Sequence, residues 1–235
     1  MNEAVVMAAG EGVRLRPLTE RYAKPVLPLD GRPVIATLLR ELRAAGVERA
    51  WIVVGHRGEQ IRTLLGDGSG FGLELRYAEQ AELDGSAGAV RAALAADATP
   101  PFLISGADTL FASGDIRRFV EAIERRGVAG AIAVRRDPPP DPPHRWATRV
   151  EESRVTRVLD DDPANPLSGA PLWSLTTATA PYLERLGGPP YELAELFQRA
   201  VDDGLEIAGV EIGPTRDLTY PVDLVHENFP YLGSL

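Results

Sequence analysis

Apolar residues gather in short runs along the first 136 residues, and these runs alternate with stretches in which apolar positions recur at helical spacing. The runs are Ala4 to Ala8 (AVVMA), Trp51 to Gly55 (WIVVG), Leu73 to Tyr77, Phe102 to Ser105 and Ala129 to Val134. Most of them are too apolar to be half exposed, which predicts strands covered on both faces. Val34 to Ala45, Gly58 to Leu65, Ala87 to Ala96 and Ile116 to Arg126 are predicted as helices. Such alternation predicts an α/β fold: right-handed crossovers, a mainly parallel sheet between helices, and ligands at the carboxyl ends of its strands.

The second half is less regular. DPPPDPP, Asp137 to Pro143, cannot be helix or central strand and is expected to form a stiff surface loop or an insertion boundary. Alternating polarity at Ala147 to Glu151 and Arg154 to Leu159 predicts a hairpin, followed by a strand at Pro171 to Leu175. Tyr191 to Val201 then reads as an amphipathic helix, Leu205 to Ile212 as a returning strand and Val222 to Asn228 as a short terminal helix.

Composition narrows the chemistry. With 235 residues, 44% of them hydrophobic, the chain can bury the core of one large α/β domain or two small ones. A net charge of −9 gives no general attraction to nucleic acid or an anionic membrane, so any phosphate must be met locally. The absence of cysteine, with histidine only at His56, His144 and His226, leaves carboxylates as the expected metal ligands. The opening MNEAVVMAAGEG lacks the cationic flank and apolar stretch of a secretory signal, and no run approaches the roughly 20 apolar residues of a membrane span, so the cytoplasm is the expected location.

All but one of the 25 cationic side chains are arginine. The exception, Lys24, lies within AAGEGVRLRPLTERYAKPVLPL, which begins at Ala8. A lysine kept against such a bias points to a site that needs a compact, flexible ammonium rather than a planar fork. Just upstream, Gly10-Glu11-Gly12-Val13-Arg14 follows the first strand, where two glycines let backbone N–H groups approach a polyphosphate and Arg14 adds a charged contact. A dinucleotide fingerprint would need a third glycine where Leu15 stands, and a P-loop would need Gly-Lys-Ser/Thr. A tight strand-to-helix turn is the alternative reading.

The loop continues as Arg14-Leu15-Arg16-Pro17-Leu18-Thr19 and then Lys24-Pro25-Val26-Leu27-Pro28. Together these segments resemble the opening of the sugar-1-phosphate nucleotidyltransferases, Gly-x-Gly-x-Arg-x-x-Pro-x-Thr followed by Lys-Pro-x-x-Pro. The resemblance implies a single Rossmann-like α/β/α domain with a mainly parallel mixed sheet and a small β-hairpin sugar-binding part. Residues 1–136 would form the nucleotide-binding half, and 144–220 the acceptor-binding half with a second metal ligand. It further implies that Ala8, Ala9, Gly10, Gly12 and Arg14 surround the triphosphate while Lys24 holds oxygens at the α-phosphorus, Arg14 and Lys24 being the catalytic cations.

Glu79-Gln80-Ala81-Glu82-Leu83-Asp84-Gly85-Ser86-Ala87 resembles the family's Gln-x(4)-Gly-Thr-Ala segment, with Ser86 in place of threonine. Gln80 offers donor and acceptor together, and Gly85 leaves room for a flat base. Gln80 and Gly85 are thus the expected base contacts, with Ser86 also expected at the nucleotide, against a solvent-exposed turn in which Ser86 caps a helix. UTP or dTTP is favoured, with guanine and cytosine still open. Asp108, just beyond the apolar run Phe102 to Ser105, matches the family's metal-binding aspartate, and Asp217 in Arg216-Asp217-Leu218-Thr219-Tyr220-Pro221-Val222-Asp223 matches the second, with Thr219 replacing the usual glycine. The implied cofactor is Mg²⁺, which prefers oxygen ligands.

One departure concerns the acceptor. Many relatives bind the sugar phosphate with a second lysine after the hairpin, where this chain reads Asp160-Asp161-Asp162-Pro163. Arg154, Arg157, Arg145 and Arg149 are candidates to replace it, and Gly169, Glu151 and Trp173 are the expected sugar contacts. Lacking that lysine, and with Leu167-Ser168-Gly169, the chain also resembles the N-acetylmuramate 1-phosphate uridylyltransferases. The implied reaction is Mg²⁺-dependent transfer of a nucleotidyl group from a nucleoside triphosphate to a sugar 1-phosphate, by a monomer or homodimer without nucleic acid or membrane partners. Two alternatives remain: cytidylyl transfer to a phosphorylated alcohol or choline, favoured by an acidic pocket near Asp160 to Asp162, and a non-catalytic regulatory domain that binds nucleotide sugars.

Overall fold

The computed structural model describes residues 1–136 and 147–229, without the side chains of residues 226 and 227. Asp137 to Pro143 and the candidate Arg145 lie outside the described residues. In chain order the elements are β1 (Glu3–Ala8), β2 (Pro28–Leu29), β3 (Arg32–Pro33), α1 (Val34–Ala44), β4 (Arg49–Val54), α2 (Gly58–Leu65), β5 (Glu74–Glu79), α3 (Ser86–Ala95), β6 (Phe102–Gly106) and β7 (Thr109–Leu110). There follow α4 (Asp115–Arg126), β8 (Gly130–Arg136), β9 (Ala147–Glu151), β10 (Arg154–Asp160), β11 (Leu167–Leu175), α5 (Leu193–Asp202), β12 (Ile207–Glu211), β13 (Arg216–Asp217) and α6 (Pro221–Asn228).

A nine-stranded sheet in the order β5-β4-β1-β6-β11-β8-β12-β10-β9 organises the molecule. β5, β4, β1 and β6 are parallel, whereas β11 enters antiparallel between β6 and β8, and β12 resumes the parallel direction beside β8. The sheet is therefore mixed, and the α/β architecture expected from the sequence is the one observed. Alternation along β1 shows how both faces are filled: Ala4, Val6 and Ala8 point into a core with Leu38, Leu39, Leu42, Ile61 and Phe119 of α1, α2 and α4. Val5 points the other way, into a core with Val90 of α3 and Leu196 and Phe197 of α5. Successive strand side chains face opposite sides, so apolar residues at consecutive positions mean helices on both sides. In α4 the buried Ile116, Phe119, Val120 and Ile123 form one helical stripe, and Gly127, at φ +63°, ends the helix.

Two pairings fall outside the sequence pattern. β11 begins at Leu167, not Pro171, because its early residues Leu167-Ser168-Gly169 ladder onto β8 without forming a long apolar run. β7 and β13 form a two-residue ladder, too short to leave a periodic signal, yet it joins the two halves of the chain beside the carboxyl end of β6.

Candidate active site

β1 ends at Ala8, and nothing lies within 4 Å of where a side chain at Gly10 would project. Gly12 is the opposite case. It holds φ +63°, and a Cβ there would lie 2.9 Å from Thr19 Cγ2 and 3.3 Å from Lys24 Cβ. Only a residue without a side chain lets the loop close on the segment that carries Lys24. Thr19 completes the closure by donating its hydroxyl to Gly12 O at 2.9 Å. Leu15, where a dinucleotide loop would need glycine, is fully buried among Leu27, Leu29, Val34, Leu110 and Leu218. Burying such a side chain contributes about 1.5–3 kcal/mol, which anchors the loop.

Gly10, Gly12, Arg14, Lys24 and Asp108, together with Ala8 and Thr219, line one cleft of about 330 Å³. Lys24 ion-pairs there with Asp108. Ala9 instead packs against Gly55, and its carbonyl accepts the His56 N–H at 3.1 Å. Asp108 O accepts Leu218 N–H at 3.1 Å, beside the ladder in which Thr109 faces Asp217. The two aspartates, distant in sequence, thus stand on adjoining rungs. Asp217 accepts hydrogen bonds from Thr109 Oγ1 at 2.8 Å and from Arg135 Nη1 at 2.6 Å. Sequence reasoning missed Arg135: it follows the apolar AIAV of β8 as the first of two arginines and reads as the start of a loop, although it is buried at 3% exposure.

This donor set fits Mg²⁺, which is held through one or two carboxylates plus waters and substrate phosphates rather than an all-protein cage. Among the described residues no group of three or more His, Cys, Asp or Glu side chains gathers. Thr219 lines the same cleft, and its N–H and that of Tyr220 donate to Asp223 Oδ2 at 2.7 and 2.6 Å, capping α6. That cap sets the Tyr220 ring 5.8 Å from the Arg14 guanidinium.

Gln80, Gly85 and Ser86 form a second group at the end of β5, two strands from β1 and so roughly 10 Å away. Gln80 is buried, and its amide nitrogen donates to Asp84 Oδ1 at 2.8 Å and Gly85 O at 3.1 Å. Both acceptors lack hydrogens, so the nitrogen must face them. Gly85 has a different neighbour from the flat base expected: a Cβ there would lie 2.3 Å from Tyr191 O. Tyr191 N–H donates to Asp84 O at 2.6 Å, and Tyr191 O accepts Ala87 N–H at 2.8 Å. The Ser86 hydroxyl is engaged as well, donating to Glu192 Oε2 at 2.5 Å and accepting Leu193 N–H at 2.9 Å at the start of α5.

On the acceptor side Gly169 lies beyond the carboxyl end of β6, since Leu172 faces Ser105 and β11 runs antiparallel. Trp173 sits mid-strand opposite Ile104 and Ile132, packed on the second core. The structure does not bring Glu151 to the cleft. It pairs with Arg154 at the β9–β10 turn, and Arg154 faces Ala208 near the start of β12, at the amino end of the sheet. Alternating polarity marks the hairpin strands without telling which end faces the glycine loop. Arg154 shares that remote end, and Arg157 is exposed.

Two carboxylates of the acidic run are engaged within the fold. Arg149 pairs with Asp160 and Asp162, and Asn165 donates to Asp160 Oδ2 at 2.9 Å. Burial pushes the Asp160 carboxyl up, but hydrogen bonds from Arg149, Asn165 and the Asp162 N–H outweigh it and hold the group below the ordinary aspartate range. A depressed folded value adds stability above the unfolded value and loses it as pH falls through the folded one. Asp160→Asn is therefore expected to lower the thermal midpoint at pH 7, with the gap to wild type closing once pH drops below about 4. A gap independent of pH in parallel melting curves would remove the charge from the account.

A sequence model of the nucleotidyl transferases matches residues 3–144. The chain belongs to the nucleotidyl transferase family. It is 29% identical over 244 residues to a glucose-1-phosphate thymidylyltransferase of Streptomyces griseus, covering 96% of this chain and 65% of that protein. Over 111 residues it is 40% identical to the N-acetylmuramate alpha-1-phosphate uridylyltransferase of Neisseria meningitidis serogroup B, covering 46% of this chain and 47% of the relative. The chain thus spans less than two thirds of the length of these relatives. In fold it resembles the inositol-1-phosphate CTP transferase of T. maritima, with a TM-score of 0.79 at 23% identity over 95% of this chain and 91% of that one. None of the helices among the described residues of this nucleotidyl transferase is long and apolar enough to cross a membrane.

Proposed function

We propose that this nucleotidyl transferase moves a nucleotidyl group from UTP or dTTP to a sugar 1-phosphate with Mg²⁺, releasing pyrophosphate. The observation that carries the reading is the convergence of the glycine loop, Arg14, Lys24 and Asp108 on one cleft, with Asp217 on the adjoining rung. In this reading the loop N–H groups and Arg14 hold the outer phosphates. Lys24 exchanges Asp108 for an oxygen of the α-phosphate. An oxygen of the acceptor phosphate bonds to the α-phosphorus as the bond to the bridging oxygen breaks and pyrophosphate departs. No side-chain nucleophile is needed, because the attacking phosphate is already anionic, and the chain's part is positioning and charge. Asp108 and Asp217 would hold the metal, which when bound would neutralise phosphate charge and polarise the reacting phosphoryl group.

A cationic acceptor such as a choline phosphate finds less support, since Asp160 and Asp162 are already engaged by Arg149. Pyrophosphate release over a panel of UTP, dTTP, CTP and GTP with sugar 1-phosphates is the test. Release is expected with UTP or dTTP and is expected to cease with EDTA. No release from any pair, or release undiminished by Asp108→Ala, overturns the reading.

A further inference from the structure

We propose that Gln60 is a positioning residue for Lys24, holding in place the segment that delivers the ammonium to the cleft; the inference rests on the function proposed above. Among the described residues no strand pairs with residues 19–24, so the chain leading to Lys24 has no ladder to fix it. Its short turns, Leu18–Glu20 and Lys24–Val26, leave Arg21 O and Ala23 N–H to find partners on side chains. Gln60 of α2 serves both. Its Oε1 accepts the Ala23 N–H at 2.7 Å, and its Nε2 donates to Arg21 O at 2.8 Å. One residue of a parallel strand would bridge the same two groups, so a single side-chain amide stands in for the missing ladder. The amide's orientation is fixed, because Ala23 N–H can only donate and Arg21 O can only accept.

The hold reaches Lys24 through one peptide unit. Ala23, the residue before it, is buried, and its carbonyl accepts the Val26 N–H at 3.1 Å, opening the Lys24–Val26 turn. A shift at Ala23 is therefore passed on to the Lys24 backbone. α2 packs on that turn. Arg57, at φ +55° before α2, anchors the other end of the segment, donating through Nε to Thr19 O at 3.3 Å and through Nη2 to Glu20 O. Lys24 must leave Asp108 for a phosphate oxygen on a flexible four-carbon stem. Fixing the backbone from which that stem starts limits where the ammonium can travel, and a charge displaced from the reacting centre loses much of its effect.

Lys24 is the only lysine of the chain, so protein made with lysine isotopically labelled at Cε gives a single side-chain resonance, which reports on the ammonium without any turnover. Gln60→Leu, which deletes both hydrogen bonds, is expected to move that resonance toward the position of free lysine. With a substrate pair that releases pyrophosphate in the panel above, it should lower the rate at saturation by about 10- to 100-fold. Adding Gln60→Leu to Lys24→Met should lower the remaining rate by less than about twofold, because a residue that acts through Lys24 then has nothing left to position. A merely structural role would cost the same factor in both backgrounds. Gln60→Glu keeps the acceptor for Ala23 N–H, loses the donor to Arg21 O, and carries the test where Gln60→Leu fails to fold. Its expected loss is about 2- to 10-fold, the scale of one hydrogen bond. An unmoved lysine resonance, turnover equal to wild type, or an equal loss with and without Lys24 overturns the proposal. A moved resonance with no release from wild type in any assay would instead sink the proposed reaction and leave the hold of Gln60 on Lys24 standing.

Discussion

Replacing Lys24 by Met is expected to lower the rate of pyrophosphate release at saturating substrates by about 100- to 1,000-fold while leaving the fold intact. Removing one preorganised charge-stabilising group at a reacting centre costs that much in comparable sites. Stability should barely change, for two reasons. Met keeps most of the aliphatic stem that packs on Gly12, and the partner left behind, Asp108, has a side chain 35% exposed, so water can solvate it. Thermal melting and turnover measured on the same preparation separate the two effects. Lys24→Arg should recover little, because the Lys24–Val26 turn and Gly12 position a slender chain, and a guanidinium fork cannot occupy the place of a point charge. Full turnover in Lys24→Met would exclude the ammonium from the reaction.

How much of this site was legible beforehand differs residue by residue, for physical reasons. Gly12 and Lys24 were legible because their constraints are local: a left-handed backbone position and a proline-bounded turn lie within one short segment. Asp108 followed from the apolar run that precedes it. Asp217 depended on the resemblance, since the two-residue ladder that places it leaves no periodicity. Arg135 and Thr109 were missed because their role lies in contacts across the chain, with Asp217, and neither residue is unusual for its own strand. Glu151 was misplaced for the complementary reason: local alternation reveals a hairpin but not its direction relative to the cleft. In the fold, apolar runs marked the parallel strands, whereas the early part of β11 is specified by its ladder to β8, a non-local pairing.

Gly85→Ala is the second large effect. Gly85 holds φ 114° and ψ 177°, a region essentially closed to residues with a Cβ, and the added carbon would lie 2.3 Å from Tyr191 O and 2.7 Å from Tyr191 N. Such strain costs about 1–3 kcal/mol. The clash also forces apart the two backbone bonds that Tyr191 makes to Asp84 and Ala87, each contributing about 0.5–1.5 kcal/mol. A combined loss of about 3–5 kcal/mol should lower the thermal midpoint by roughly 10 °C in a domain of this size. Gly10→Ala, with nothing within 4 Å, serves as the comparison and should melt close to wild type. Tyr191→Ala should also cost much less, because it is the Tyr191 backbone, not its ring, that crosses Gly85. Uridine nucleotide affinity decides between the two roles open to this glycine. If Gly85 only makes room for a base, Gly85→Ala would weaken nucleotide binding with an unchanged midpoint. If it lets the segment before α5 close over the turn before α3, both fall together, and the wall of the base site is then built by Tyr191 pressing on a residue that has no side chain to resist it.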